Sequence, residues 1–380
     1  MKSIKYVLLT LIAIAVSGLI WLSKSTPVVS QATVLLSTEP SLEDVIPDDT
    51  VVKLQLQAID SEEQPLADAN VRIRISTPAK TPWFTSDFPI IEGTELLNFE
   101  AIAPQGNLEF EQVLPIRGKY NVKVAVTSKD TGAFEAFEQS LSLKIPENPV
   151  KYRNLAILAV ILLAVGFASG WNLNSDRSVR DEIAPQPVRM LLSSMTIVAI
   201  AVLLLVNVRA EVAASHSQVE KSAVSTSPHI AKNQAMQLEL LGDTQAVVGN
   251  LATQAVKITN PNTGEPLIDT QVRVESVALE SDALMFAYRG IADATGKLTW
   301  QEQFFDGAPH SVTATVIPSE KAIEQSTPLQ VSQEIEVEAI APPLSVRFIS
   351  LLYFTLIFVV GLGLGFWIKR RKTGTVADDL

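Results

Sequence analysis

The chain reads as a membrane protein carrying two all-β antiparallel sandwich domains and four transmembrane α-helices. Three observations predict this. Gln64-Pro65-Leu66-Ala67-Asp68-Ala69-Asn70-Val71-Arg72-Ile73 returns as Glu265-Pro266-Leu267-Ile268-Asp269-Thr270-Gln271-Val272-Arg273-Val274. Four apolar runs are long enough to cross a bilayer, at Tyr6–Leu22, Leu155–Leu173, Met190–Val208 and Phe348–Ile368. Between them, Val52, Leu54, Leu56 and Ala58 set a period-two alternation that marks half-buried strands.

The runs divide the chain. Residues 1–24 are a first helix, or a signal anchor, and 25–49 are a polar tether. Residues 50–150 form sandwich 1, 151–173 a second helix, 174–189 a cytoplasmic loop and 190–208 a third helix. A second tether at 209–235 leads to sandwich 2 at 236–345, a fourth helix at 346–368 and a cytoplasmic tail at 369–380. The expected unit is helix–sandwich–helix, written twice.

Strands are expected in sandwich 1 near 52–58, 70–75, 96–102, 108–113, 120–126 and 134–145. Those of sandwich 2 fall near 237–241, 255–259, 271–277, 285–291, 298–304, 311–317 and 331–340. Short strands with turns between them and no amphipathic helix argue for antiparallel sandwiches. The repeat continues beyond its strongest stretch. Gly106-Asn107-Leu108-Glu109-Phe110 corresponds to Gly296-Lys297-Leu298-Thr299-Trp300, and Gly118 to Gly307 more loosely. The first match is offset by 201 residues and the second by 190, so the first copy holds 11 extra residues. The proline-rich segment Thr77–Pro89 supplies them, because three prolines bar a regular central strand.

Charge supports the division. The net charge is −10 over 25–150, −9 over 209–346 and +8 over the remainder. Acidic exported domains exclude nucleic acid as a partner, since that needs clustered basic charge. Lys2, Lys5, Arg177, Arg180, Arg189 and the Lys369–Lys372 cluster fall on one side if the helices alternate. Both termini and the middle loop are then cytoplasmic and both sandwiches lie outside. The chain has no cysteine, which excludes disulfides and thiol chemistry. It also lacks a glycosylation acceptor, and the two absences together point to a bacterial envelope, with the chain in the inner or a comparable internal membrane.

The order Pro-Leu-x-Asp-x-x-Val-Arg-Ile, then Gly-x-Leu-x-aromatic, then Gly-x-aromatic-x-Val, resembles small bacterial immunoglobulin-like or transthyretin-like sandwiches. FixH/YtkA-like envelope domains are one such group. The resemblance implies an Ig-like fold, with the Pro-Leu turn joining two strands, and covers both sandwiches but none of the spans. The paired methionines of copper-handling relatives are missing.

Candidate residues follow from residue type and place. Trp83, Phe84 and Phe88 are loop aromatics, suited to anchoring a partner or entering the lipid interface, or to capping the open end of the sandwich. His310 and Asp306, with Met236 or Met285 nearby, are the candidate metal ligands, although a site needs three or four donors. The competing reading is a tight turn at Asp306 and a half-exposed His310. Gly166, Gly170, Gly361 and Gly365 stand in corresponding spans at the spacing that lets helices approach closely. Pro65, Asp68, Pro266 and Asp269 are read as structural turn residues, with each Asp bonding nearby backbone N–H groups.

No intramembrane charge marks an ion path, and no catalytic signature is present. The expected role is a non-enzymatic scaffold or accessory subunit without cofactors. Its partner is another envelope or membrane protein, or a second copy through the glycine-containing spans, besides the bilayer itself. The alternatives are a copper-like metal-delivery accessory using the second sandwich, and a hydrolase with an unmarked carboxylate site.

Overall fold

The computed structural model describes residues 32–173 without 82, 84, 85 and 130–132, then 229–317 and 329–375. The first half contains β1 (Thr33–Glu39), β2 (Val51–Ile59), β3 (Ala69–Ser76), β4 (Glu95–Ala103), β5 (Asn107–Val113), β6 (Gly118–Ser128) and β7 (Phe137–Ile145), followed by α1 (Pro149–Leu173). The second contains β8 (His229–Lys232), β9 (Gln237–Gly242), β10 (Gln245–Val247), β11 (Leu251–Thr259), β12 (Gln271–Ala278), β13 (Ala283–Ile291), β14 (Lys297–Gln303), β15 (His310–Val316) and β16 (Gln330–Glu338), followed by α2 (Leu344–Thr375).

Alternation explains the strands. Val71, Ile73 and Ile75 on β3, and Val122, Val124 and Val126 on β6, turn inward and are almost fully buried. The residues between them face out, as period two requires. The turn before β3 is built twice. Asp60 accepts the backbone N–H groups of Glu62 and Gln64, and Asn260 accepts those of Asn262 and Thr263. Pro65 bridges Ile59 and Pro266 bridges Thr259. Gly106 and Gly296 sit at φ 68° and 70°, where a Cβ would meet the carbonyls of Ala58 and Ile258. Only glycine lets the strand and the Pro-Leu turn close there.

The separate sandwiches expected from the sequence are fused. One eight-stranded sheet runs β1-β2-β5-β13-β12-β15-β16-β10, and the other runs β7-β6-β3-β4-β14-β11-β9-β8. β5 pairs with β13 and β4 pairs with β14, so both sheets cross from one half to the other. The pairing is antiparallel except for β10, which runs parallel to β16. The physical reason is edge satisfaction: an open strand edge leaves backbone groups unpaired, and each half here completes the other's.

Both joints use the same register with roles exchanged. Phe99 faces Trp300 across one, and Tyr288 faces Phe110 across the other. Phe99 and Tyr288 are counterparts, opposite Ile73 and Val274 respectively, and Phe110 and Trp300 are counterparts by sequence. These rings meet in one buried cluster. Phe99 lies 5.3 Å from Phe110, edge-on, and 5.0 Å from Tyr288, and Phe286 lies 6.4 Å from Trp300. Burying such a ring contributes roughly 2–3 kcal/mol.

The tethers need correction. Residues 33–39 are β1, paired along its whole length with β2, and Val45 is buried beyond it. Within the second tether, residues 229–232 form β8 at the edge of β9. Sandwich 1 therefore begins well before residue 50.

Two helices are long and apolar enough to cross a membrane, over Pro149–Trp171 and Leu344–Arg371. At 1.5 Å per residue the shorter spans about 35 Å. Pro149 opens α1, and the Asn148 side chain accepts the Val150 N–H at 2.9 Å as a cap. Most of the side chains on α1 and α2 project away from the protein, with Val160 64% and Leu356 59% exposed. The expected spans at 6–22 and 190–208 lie outside the described residues. α2 continues through Lys369–Arg371, residues expected from the sequence to begin the tail.

Candidate functional site

The two helices run parallel and lock through the four glycines. A Cβ on Gly166 would land on the carbonyl of Phe358, and one on Gly361 on that of Leu163. Gly170 and Gly365 stand the same way against Leu362 and Phe167. Each glycine thus admits the backbone of the facing helix, reciprocally. Lys369 closes the far end by donating to the Trp171 carbonyl at 2.7 Å. These four glycine faces are occupied by one another within a single chain.

The segment between β3 and β4, residues 77–94, forms a shaped loop at the end from which the helices leave. Thr77 is its hinge. Its Oγ1 donates to the Ile91 carbonyl at 2.5 Å, and its backbone N–H donates to the Thr94 carbonyl. The Glu92 carboxylate accepts the Ser86 N–H at 2.8 Å, and Ile91 is fully buried. Phe88 packs edge-on against Phe305 of the second half, 5.4 Å between centroids. Ile90 fills the space beside Gly249, and Thr94 exchanges hydrogen bonds with Gln303. Asp87 pairs with Lys151 of α1 at 2.9 Å. Tyr353 of α2 donates its hydroxyl to the Trp83 carbonyl at 2.9 Å. This loop therefore touches both halves and both helices.

The three loop aromatics separate. Phe88 is inward-facing, Trp83 is 60% exposed, and Phe84 lies outside the described residues. Sequence reasoning missed Tyr353, Asp87 and Lys151. A tyrosine in the opening turns of an apolar helix was the available signal for the first. The two charges gave none, because their pairing depends on where the loop folds.

The expected metal residues meet but do not make a site. His310 is fully buried, not half-exposed. Its Nδ1 bonds the Ala308 carbonyl at 2.8 Å, and its Nε2 stands 3.5 Å from Asp306. Burial lowers its pKa, against the pull of Asp306. Asp48 is pushed up to about 6 by burial and by the carboxylates of Asp306, Asp87 and Asp49. Among the described residues no three His, Cys, Asp or Glu groups are placed to share an ion. Met285 is buried on β13, while Met236 packs at the rim of the core.

Asp68 and Asp269 take left-handed backbone at φ 52° and 58°. Capping of the preceding turn belongs to Asp60 and Asn260 instead. Arg72 reaches Asn98 at 3.5 Å, and Arg273 pairs with Glu275 at 2.6 Å.

Glu302 is a second perturbed carboxyl, after Asp48. It is buried at the β4–β14 joint, bonded by the Trp300 indole N–H at 3.2 Å, and burial pushes its pKa up to about 7. Its counterpart across the other joint is Gln112, facing Phe286. Between β5 and β13 the outer face holds a groove of about 430 Å³ lined by Glu109, Glu111, Arg273 and Arg289, whose charges balance.

No family model matches the chain. No curated protein is similar to it in sequence. Solved structures align at low identity. The D0-D1 domain of intimin is 11% identical with a TM-score of 0.20, over 81% of this chain and 98% of that one. Trypsin-activated alpha-2-macroglobulin from Escherichia coli is 9% identical with a TM-score of 0.21, over 81% of this chain and 16% of that one. The Yersinia pseudotuberculosis adhesin InvE is 10% identical with a TM-score of 0.20, over 80% of this chain and 60% of that one. The fold assignment rests on the strands themselves.

Proposed function

We propose that the protein is a membrane-anchored, non-enzymatic scaffold or accessory subunit of a bacterial envelope. Its fused sandwich body is presented outside the membrane to another envelope protein. The observation that carries this reading is the union of two continuous sheets with a parallel, glycine-locked helix pair leaving one end. The helices leave from one end, so the outer sheet edges stand away from the anchor and open to a partner. β1 offers one of those edges: Gln139 of β7 caps its start at Val34, and the stretch beyond, with Leu35 half exposed, is where strand addition is the mode of contact.

On this reading all four apolar runs span the membrane, with both termini cytoplasmic and both halves of the body outside. The matched registers of the two joints and the reciprocal glycines support duplication of an ancestral helix–sandwich–helix unit. Because the glycines face each other within one chain, a second copy would have to associate through another surface. Co-purification of the full chain from mild detergent is the test, with Leu35→Lys on β1 as the comparison. A stoichiometric partner lost in that variant is the expected result. A partner retained undiminished would remove the edge from the proposal, and an absence of any partner would remove the scaffold role.

A further inference from the structure

We infer that Trp83, on the β3–β4 connection, is a lipid-contact residue seated in the outer headgroup region of the bilayer. The inference rests on the proposed spanning role of α1 and α2. Four observations carry it.

Trp83 is 60% exposed, although Phe88, the other described ring of its loop, is packed inward. Its backbone is held by Tyr353, nine residues into α2. Parallel packing sets Tyr353 among the opening turns of both helices, since Lys369 reaches Trp171 at the other end. Those opening turns already display outward-facing apolar side chains, Leu155 at 50% and Phe348 at 54% exposure. Trp83 therefore continues an apolar belt that begins on the helices.

The chemistry suits that depth. An indole has a large apolar face and one N–H, and indole and phenol side chains concentrate where headgroups meet acyl chains. Asp87 of the loop pairs at 2.9 Å with Lys151 in the first turn of α1, which ties the loop to the start of that helix. The loop is also braced: Thr77, Glu92 and Phe88 fix its base, so Trp83 is presented rather than dangling. With two helices alone the body could rock about their common axis. A third contact, off that axis, would set its tilt.

The chain has no cysteine, so single cysteines report depth cleanly. The experiment uses the full chain in phosphatidylcholine vesicles, labelled with an environment-sensitive fluorophore at Trp83→Cys, Val160→Cys or Glu62→Cys. Nitroxide lipids probe the bilayer and iodide probes the water. Position 83 should be quenched several-fold more by headgroup-proximal nitroxide than position 62, and less by iodide. Quenching at 160 but not at 83, with 83 open to iodide, overturns the loop inference and leaves the anchoring intact. No lipid quenching at 160 overturns both. Shielding of 83 from both quenchers overturns lipid contact in favour of a second copy. An unlabelled check compares the wild type with Trp83→Phe: brominated lipid should quench a smaller share of the tryptophan emission in the variant. An unchanged share would count against lipid contact.

Discussion

The two halves share a plan and differ at the end nearest the helices. The first half carries the long β3–β4 loop, which reaches α1 through Asp87 and α2 through Trp83. In the second half, β12 and β13 are joined by the short turn Leu279–Asp282. That turn is acidic, and its backbone bonds back to the Pro309 carbonyl. What the halves have in common holds the fold: turn residues, joint aromatics and helix glycines. What they do not share bears on the membrane and on burial chemistry. Where one half already satisfies the fold, the other is free to differ.

The largest expected effect tests whether the halves are one body. Phe99→Ala removes a ring that touches aromatics of both halves, and should destabilise by about 3–5 kcal/mol. Denaturant unfolding of the full chain in detergent, followed by tryptophan emission and by far-UV signal, should still give one shared transition. Two separated transitions would mean that the joints do not couple the halves.

The next exploits the Glu302–Gln112 difference. A carboxyl whose folded pKa is about 7 binds its proton more tightly folded than unfolded. Its contribution is full below the unfolded value near 4.5 and is lost as pH rises through about 7. Glu302→Gln should therefore stabilise the protein at pH 8 by up to ~3 kcal/mol and change little at pH 4. Equal shifts at both pH values would show that burial of this carboxyl is not the cause.

Gly361→Leu comes third. It forces the helix backbones apart by overpacking, at a cost of about 1–3 kcal/mol. Gly166→Leu should match it, because the contacts are reciprocal. Thermal loss of helical signal in detergent would compare them, and a strong effect of one alone would break the symmetry. The smallest effect is at the sheet surface. Arg273→Ala loses a half-exposed ion pair and Arg72→Ala a long amide contact, so both should fall within about 1 kcal/mol, the first larger. Denaturant midpoints would rank them.

Much of this was legible beforehand. Period-two alternation located thirteen strands to within a few residues, and the glycine spacing named the faces that the helices use. β1 was missed because Ser, Thr and Pro around it read as a tether. Its counterpart β9 was recognised, so carrying the repeat back to Val34-Leu35-Leu36 was the unused signal. His310 was read as half-exposed because exposure depends on what packs over a strand, here Phe304 at 4.6 Å.

The sequence by itself determined most of the strands and the two apolar helices that the structure describes. Those follow from periodicity, length and residue type, which are properties of short stretches. Only the tertiary structure decided that the halves share both sheets, that the helices run parallel with their glycines facing, and that one loop binds all four parts. Most of these pairings join residues more than 100 positions apart, and even the Asp87–Lys151 tie spans 64. Strand edges, glycine faces and loop carbonyls carry no label for a partner, and they acquire one only when the chain brings complementary surfaces together.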